Sequence, residues 1–205
     1  MQNQKEEFAN KWQVLCAVMC GGFMASVDGS VVNLILPTLV ESFNSGFSII
    51  QWVVVSYLLT VATLILPMGR LGDLIGRKKV FLTGFVIFTA GSLLCGFAGS
   101  VSQIIVFRVV QGLGATMILA LNFAVATEAF PKNERGKAMG VLASVVSLGV
   151  IAGPVIGGFL VDYASWRWIF LINLPIGALG IYFILKYILK GPILYETFLV
   201  LFHEI

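Results

Sequence analysis

Two charged side chains stand where charge is expensive. Asp28 lies inside the apolar run from Trp12 to Pro37, and Arg108 lies inside another from 103 to 127. Asp28 precedes Pro37 by nine residues, which on a helix rising about 1.5 Å per residue is roughly 13 Å from the end of the run. A carboxylate at that depth costs at least ~2.5 kcal/mol facing lipid, so it must face protein or a watery cavity. Removal from water disfavours the charged form of a carboxyl group, so an acid here suits the uptake and release of protons and the binding of cationic molecules. A hydrogen-bonded structural aspartate is the plainer alternative. Arg108 has its own alternative, snorkelling to the nearer interface. At 100° per residue, Gln111, Ala115 and Asn122 fall within about 60° of it, forming one face of polar and small residues of the kind that lines a cavity. Asn33, near the end of the first run, joins Asp28, Arg108, Gln111 and Asn122 as a candidate for proton coupling or substrate contact.

These residues need a scaffold that composition makes plain. Of 205 residues 59% are hydrophobic and 11% charged, whereas soluble domains carry about 25% charged residues. A bilayer crossing takes about 20 apolar residues, and six stretches qualify: roughly 12–37, 48–68, 80–99, 103–127, 137–161 and 168–189. Each must satisfy its own backbone hydrogen bonds in lipid, so all six are read as helices, and the fold class is an all-α membrane protein. The first run exceeds the 7–15-residue core of a cleaved signal. Of the 13 Lys and Arg residues, eleven (Lys5, Lys11, Arg70, Arg77, Lys78, Lys79, Lys132, Arg135, Lys137, Lys186 and Lys190) fall on one side of an alternating topology. Arg167 falls on the other, and Arg108 within a span. That bias places both termini in the cytoplasm. Three units follow: a cytoplasmic N-terminus 1–11, a six-span body 12–189, and a tail 190–205. The tail is too short after Lys190-Gly191-Pro192 to span again and is expected either to lie along the cytoplasmic surface or to be non-native sequence after a truncation.

The body carries an internal echo. Gly69-Arg70-Leu71-Gly72-Asp73 and Gly158-Phe159-Leu160-Val161-Asp162 both read G-x-L-x-D, 89 positions apart, and at the same offset Asn33 aligns with Asn122. The two copies fall on loops expected between spans two and three and between five and six, as in two three-helix units with one inverted. Gly149, Gly153 and Gly157 repeat every four residues on one face of span five, where small residues allow close helix approach. Pro154 removes a backbone donor and permits a kink. Gly72 and Gly76 allow a tight turn.

Five ordered segments resemble the major facilitator superfamily, and within it the drug–proton antiporter branch with fourteen spans. Gly69 to Lys79 is similar to its G-x-L-x-D-R-x-G-R-K/R signature, with Leu74 in place of the usual Arg. Arg108 to Ala115 resembles R-x-x-Q-G-x-G-A. Gly149 to Gly158 resembles the antiporter pattern G-x-x-x-G-P-x-x-G-G. Asp28-Gly29-Ser30-Val31-Val32-Asn33 with Leu36-Pro37 resembles D-x-T-x-V-N…L-P, with Ser30 for Thr. Trp166 to Pro175 resembles W-R-W-I-F…N-x-P. The resemblance covers residues 12 to 189 and corresponds to an N-terminal six-helix half. It implies a secondary transporter of the cell membrane that exports lipophilic or cationic compounds in exchange for protons, with Arg108 in proton coupling. It implies a cytoplasmic gating segment of Gly69, Asp73, Gly76, Arg77 and Lys78, in which Asp73 and Arg77 hold two halves together. It also implies a packed antiporter helix at Gly149, Gly153, Pro154, Gly157 and Gly158 that limits leak.

Other function classes find little support. Cys16, Cys20 and Cys95 lie inside apolar runs without metal-ligand spacing, and no nucleophile constellation, nucleotide loop or basic nucleic-acid face is legible. No cofactor is expected. The expected partners are lipid, protons and a small-molecule substrate, together with a second copy or a missing C-terminal half, since alternating access rocks one half against another. An inactive truncated fragment and a homodimerising half-transporter remain as alternatives.

Overall fold

The computed structural model describes residues 10–188, so the reading of the tail at 190–205 and of the first nine residues lies outside it. Six helices among the described residues are long and apolar enough to cross a membrane: Lys11–Val31, Phe47–Ile75, Arg77–Gly96, Val101–Ala129, Arg135–Tyr163 and Trp168–Ile188. They are numbered here as spans one to six. Span one is shorter than the apolar run suggests. It stops at Val31, turns, and continues as a separate helix Leu36–Phe43 with Pro37 in its first turn, where a missing N–H is harmless. Asn44 closes that helix in the left-handed conformation. Span six is interrupted near its start, as Trp168–Leu171 and Asn173–Phe183 are separate helical pieces.

The segment expected to form a loop between spans two and three is almost wholly helical. Span two runs to Ile75 and span three begins at Arg77, so Gly69 to Asp73 are the last turns of a helix. Only Gly76 turns the chain, with φ of 104°. Gly72 does not turn it. Gly72 is buried, and a Cβ there would lie 3.0 Å from Leu121 Cδ1 on span four, so its smallness serves packing. The second G-x-L-x-D copy is likewise the last turn of span five, which ends at Tyr163. Replacing Gly76 by alanine is therefore expected to cost about 1–2 kcal/mol through left-handed strain, whereas Gly69→Ala, in a helix with open space around it, should cost nothing. Thermal unfolding in detergent separates the two.

Span four is central, packed on two and three; span one packs on five, and span six lies against one and three. Glycines bring these helices close. A Cβ on Gly114 would lie 2.7 Å from both Gly84 O and Phe88 Cα, and one on Gly91 would lie 2.7 Å from Gln111 Cα, so spans three and four meet backbone to backbone. The span-five stripe makes a close helix contact, as its spacing suggests, and the partner is span one. A Cβ on Gly149 would lie 2.9 Å from Ser26 Cβ, one on Gly153 would lie 3.1 Å from Val27 O, and one on Gly157 would meet Val31. Gly158 sits at the rim of this contact, and exposed Pro154 lies within an uninterrupted helix. Several serines and threonines in the spans spend their hydroxyls on their own helix, as Thr60 does on Ser56 O at 2.7 Å and Thr116 on Gly112 O at 2.6 Å.

The described residues form two apolar cores. One contains Leu15, Met24, Phe81, Phe85, Phe88, Ala115 and Ile184, towards the Gly76 end of the bundle. The other contains Val31, Ile35, Cys95, Ile104, Trp166 and Phe170, towards the opposite end. In spans one, three, four and six, the residues between these sets include Asp28, Ser92, Arg108 and Asn173. All four are buried, so a polar layer lies between the cores.

Candidate functional site

The polar layer is a single hydrogen-bonded network. Arg108 donates from Nη1 to Asp28 Oδ2 at 2.6 Å and to Gln111 Oε1 at 2.8 Å, and from Nε to the Val53 carbonyl at 3.1 Å. Asp28 Oδ1 accepts from Gln111 Nε2 at 2.8 Å and from Asn173 Nδ2 at 3.3 Å. Both amides also donate to Ser92 Oγ, at 2.7 and 3.3 Å respectively. The guanidinium lies 4.0 Å from the centre of the Tyr57 ring and 5.9 Å from that of Phe170, within cation–π range. Five spans therefore fix one ion pair. With Asp28 0% and Arg108 1% exposed, neither lipid nor water reaches it.

The chemistry follows from burial. Taking two charges out of water is repaid only by close geometry and full hydrogen bonding of the remaining donors and acceptors. Here both carboxylate oxygens are used, and the guanidinium has four partners besides the carboxylate: a carbonyl, an amide oxygen and two aromatic rings. Snorkelling of Arg108 is excluded by its position between two cores. A proton or cation delivered to Asp28 would weaken the attraction that closes the layer, which is the physical requirement for a charge-operated switch.

Of the residues expected to act together, the structure unites Asp28, Arg108 and Gln111. Asn122 is buried on the same face of span four but three turns along, against Gly22 of span one, with its Oδ1 unpartnered. The face that looked like a cavity lining is thus packed at Arg108, Gln111, Ala115 and Asn122. Asn33 is exposed at the turn beyond span one and donates to Gly29 O at 3.4 Å, apart from the network. Ser92, Asn173 and Tyr57 complete the network without being among the sequence candidates. Asn173 does belong to one of the quoted motifs, and its position at a break in span six is the signal that could have found it.

The Gly76 end carries a second set of charges. Arg77 donates to Asp73 Oδ1 from Nε at 2.8 Å and to Glu128 Oε1 at 2.7 Å, fastening the turn between spans two and three to the end of span four. Lys11 reaches Glu134 at 2.5 Å, tying the start of span one to the approach of span five, where Trp12 packs edge-on to Phe130 at 5.5 Å. These groups are partly exposed, and such pairs contribute about 0–1 kcal/mol each. Asp73 and Arg77, expected to hold two halves together, here pair with each other and with Glu128 inside one body. Lys78 is exposed beside them.

Comparison with known proteins places the whole arrangement. Residues 18–197 match the Major Facilitator Superfamily. The chain belongs to that superfamily. It is 41% identical to the riboflavin transporter RibZ of Clostridioides difficile over 91% of this chain and 41% of that one. It is 37% identical to multidrug resistance protein 3 of Bacillus subtilis over 85% of this chain and 34% of that one. It is 39% identical to the putative multidrug resistance protein MdtD of Pectobacterium atrosepticum over 83% and 36%. The chain thus spans about a third to two-fifths of the length of these relatives. As a major facilitator body of six apolar helices, it is a multi-pass membrane protein.

Proposed function

We propose that this chain is one six-span body of a proton-coupled exporter of lipophilic or cationic compounds, and that the buried Asp28–Arg108 pair is where protons and substrate compete. The pair carries the reading: an ion pair sealed from water in the middle of a helix bundle is stable closed and unstable once either charge is neutralised. Membership of a transporter superfamily and likeness to proteins named for multidrug resistance support the export of small molecules, and likeness to a riboflavin transporter widens the range of substrates to test. Lys11, Arg70, Arg77, Lys78, Lys79, Lys132, Arg135, Lys137 and Lys186 gather at one end of the bundle against Arg167 at the other. This supports a cell-membrane orientation with the Gly76 end in the cytoplasm.

The apolar face of span five supports a second body beside this one, either a second copy or the remaining length of such a transporter. Leu148, Ile151, Val155 and Phe159 are all exposed there, Val155 by 71%. An inactive fragment is the competing reading. The test uses the 205-residue chain in liposomes loaded with a fluorescent lipophilic cation. A pH gradient, acid on the receiving side, should drive the dye out, and Asp28→Asn should remove the dependence on the gradient. Dye movement indifferent to the gradient would overturn proton coupling; no movement at all, with no cross-linked dimer on gels, would favour the fragment.

A further inference from the structure

Around Asp28 the donors and acceptors are unequally committed. Two amides present N–H groups to its Oδ1. The carbonyl oxygen of Gln111 is already engaged by Arg108 Nη1 at 2.8 Å, so turning that amide over would set an amine against a guanidinium. The carbonyl oxygen of Asn173 is buried with no partner, although the same side chain donates twice. Asn173 is the first residue of the helix Asn173–Phe183, immediately after the break in span six.

A protonated carboxyl group changes what its neighbours must offer. Oδ2 faces Arg108, so the favourable place for a proton is Oδ1, where an acceptor is then needed in place of a donor. The titratable groups facing Asp28 are Arg108 from span four, Tyr57 from span two and Cys95 from span three, and none of these supplies an acceptor at Oδ1. We propose that Asn173 reads the ionisation state of Asp28: its amine serves the carboxylate, and a half-turn of its carboxamide brings its idle oxygen to the protonated acid. The turned oxygen occupies the present amine position, 3.3 Å from Asp28 Oδ1 and 3.3 Å from Ser92 Oγ. It accepts from Asp28, and the Ser92 hydroxyl rotates to donate to it as well. The displaced amine takes the place of the idle oxygen, which is buried. Rotation about the last torsion of an asparagine is a soft motion between two-fold wells. Its consequence falls at the point where span six is already broken, so the protonation state is delivered to a helix that carries neither Asp28 nor Arg108.

The inference rests on the proton-coupling reading, and its test is independent of proton delivery because Asp28→Asn supplies a permanently neutral donor. The measurement is a double-mutant cycle on Tm of the full chain in detergent. In the wild-type background Asn173→Ala should lower Tm by about 4–8 °C, as loss of its two hydrogen bonds does in a chain of this size. In the Asp28→Asn background the loss should be at least as large. If Asn173 were only a donor, Asn173→Ala in that background would relieve a clash of two amines and forfeit only the bond to Ser92, so the Tm loss would be clearly smaller than in wild type, which would overturn the proposal. Should Asn173→Ala fail to fold, side-chain amide NMR decides. In wild type the Asn173 amine should show a nuclear Overhauser contact to Ser92 β-protons, and in Asp28→Asn that contact should be lost. Persistence of the Ser92 contact overturns the proposal. A coupling defect in Asp28→Asn without this exchange would leave proton coupling standing and remove Asn173 from it.

Discussion

Arg108→Ala is expected to be among the most damaging single substitutions in the described structure, removing about 3–5 kcal/mol of stability by leaving Asp28 buried without its counter-charge. Three further interactions go with it, to Val53 O, to Gln111 Oε1 and to the Tyr57 ring. Most of the loss should nevertheless come from the orphaned carboxylate. Asp28→Asn added to Arg108→Ala should therefore recover a substantial part of the stability, since two neutral groups in the layer cost less than one bare charge. Arg108→Lys should fall between, because an ammonium can reach the carboxylate but cannot also hold Val53 O and stack on Tyr57 in one plane. Unfolding of the purified chain in mixed micelles, followed by Trp fluorescence, measures all three. A double variant as unstable as Arg108→Ala alone would show that the attraction between the two charges is not what holds the layer.

How much of this was legible depends on contrast. Asp28 and Arg108 are conspicuous because charge in an apolar run has few explanations, and Gln111 follows from its place one turn from Arg108. Ser92 and Asn173 are equally buried, yet a neutral polar residue in a span costs little to carry and stands out little. Only the three-dimensional meeting of spans three and six on Asp28 marks them. The reverse error occurred at Gly72, where a motif rich in glycine suggests a turn, although the residue lies inside a helix under Leu121 and the turn is confined to Gly76. Most helix ends fall within a few residues of the apolar runs, but span two continues seven residues past its run to Ile75, because its last turns are polar, and the first run also misleads. The run to Pro37 contains the end of span one, a turn and a second helix, and hydropathy is blind to that break. Asn33 shares a sequence motif with Asp28 but not its helix. With the helix ending at Val31, its side chain falls on the exposed side of the turn.

Gly114→Ala is expected to be damaging out of proportion to the single methyl it adds, by about 2–3 kcal/mol, the upper part of the range for overpacking. The new Cβ would sit 2.7 Å from two backbone atoms of span three, Gly84 O and Phe88 Cα, so no rotamer change can relieve it and the helices must part. Gly140→Ala makes the matched comparison: the same exchange, in a span, with no atom within 4 Å of the new Cβ. It should be neutral or stabilising by up to about 1 kcal/mol, the gain in helix propensity. The difference between the two isolates packing from propensity. The effect of Gly114→Ala should not stop at stability. Gly114 stands three residues from Gln111, and Gln111 holds Ser92 of span three at 2.7 Å, where Gly91 touches the Gln111 backbone. Parting spans three and four by even a few tenths of an ångström stretches that bond first and takes one donor from the carboxylate next. Gly114→Ala protein that folds should then show Asp28 more readily reached by water-soluble carbodiimide than in the parent chain, while Gly140→Ala protein should label like the parent. Equal labelling of the two variants would mean that the backbone contact and the ion-pair layer are mechanically separate.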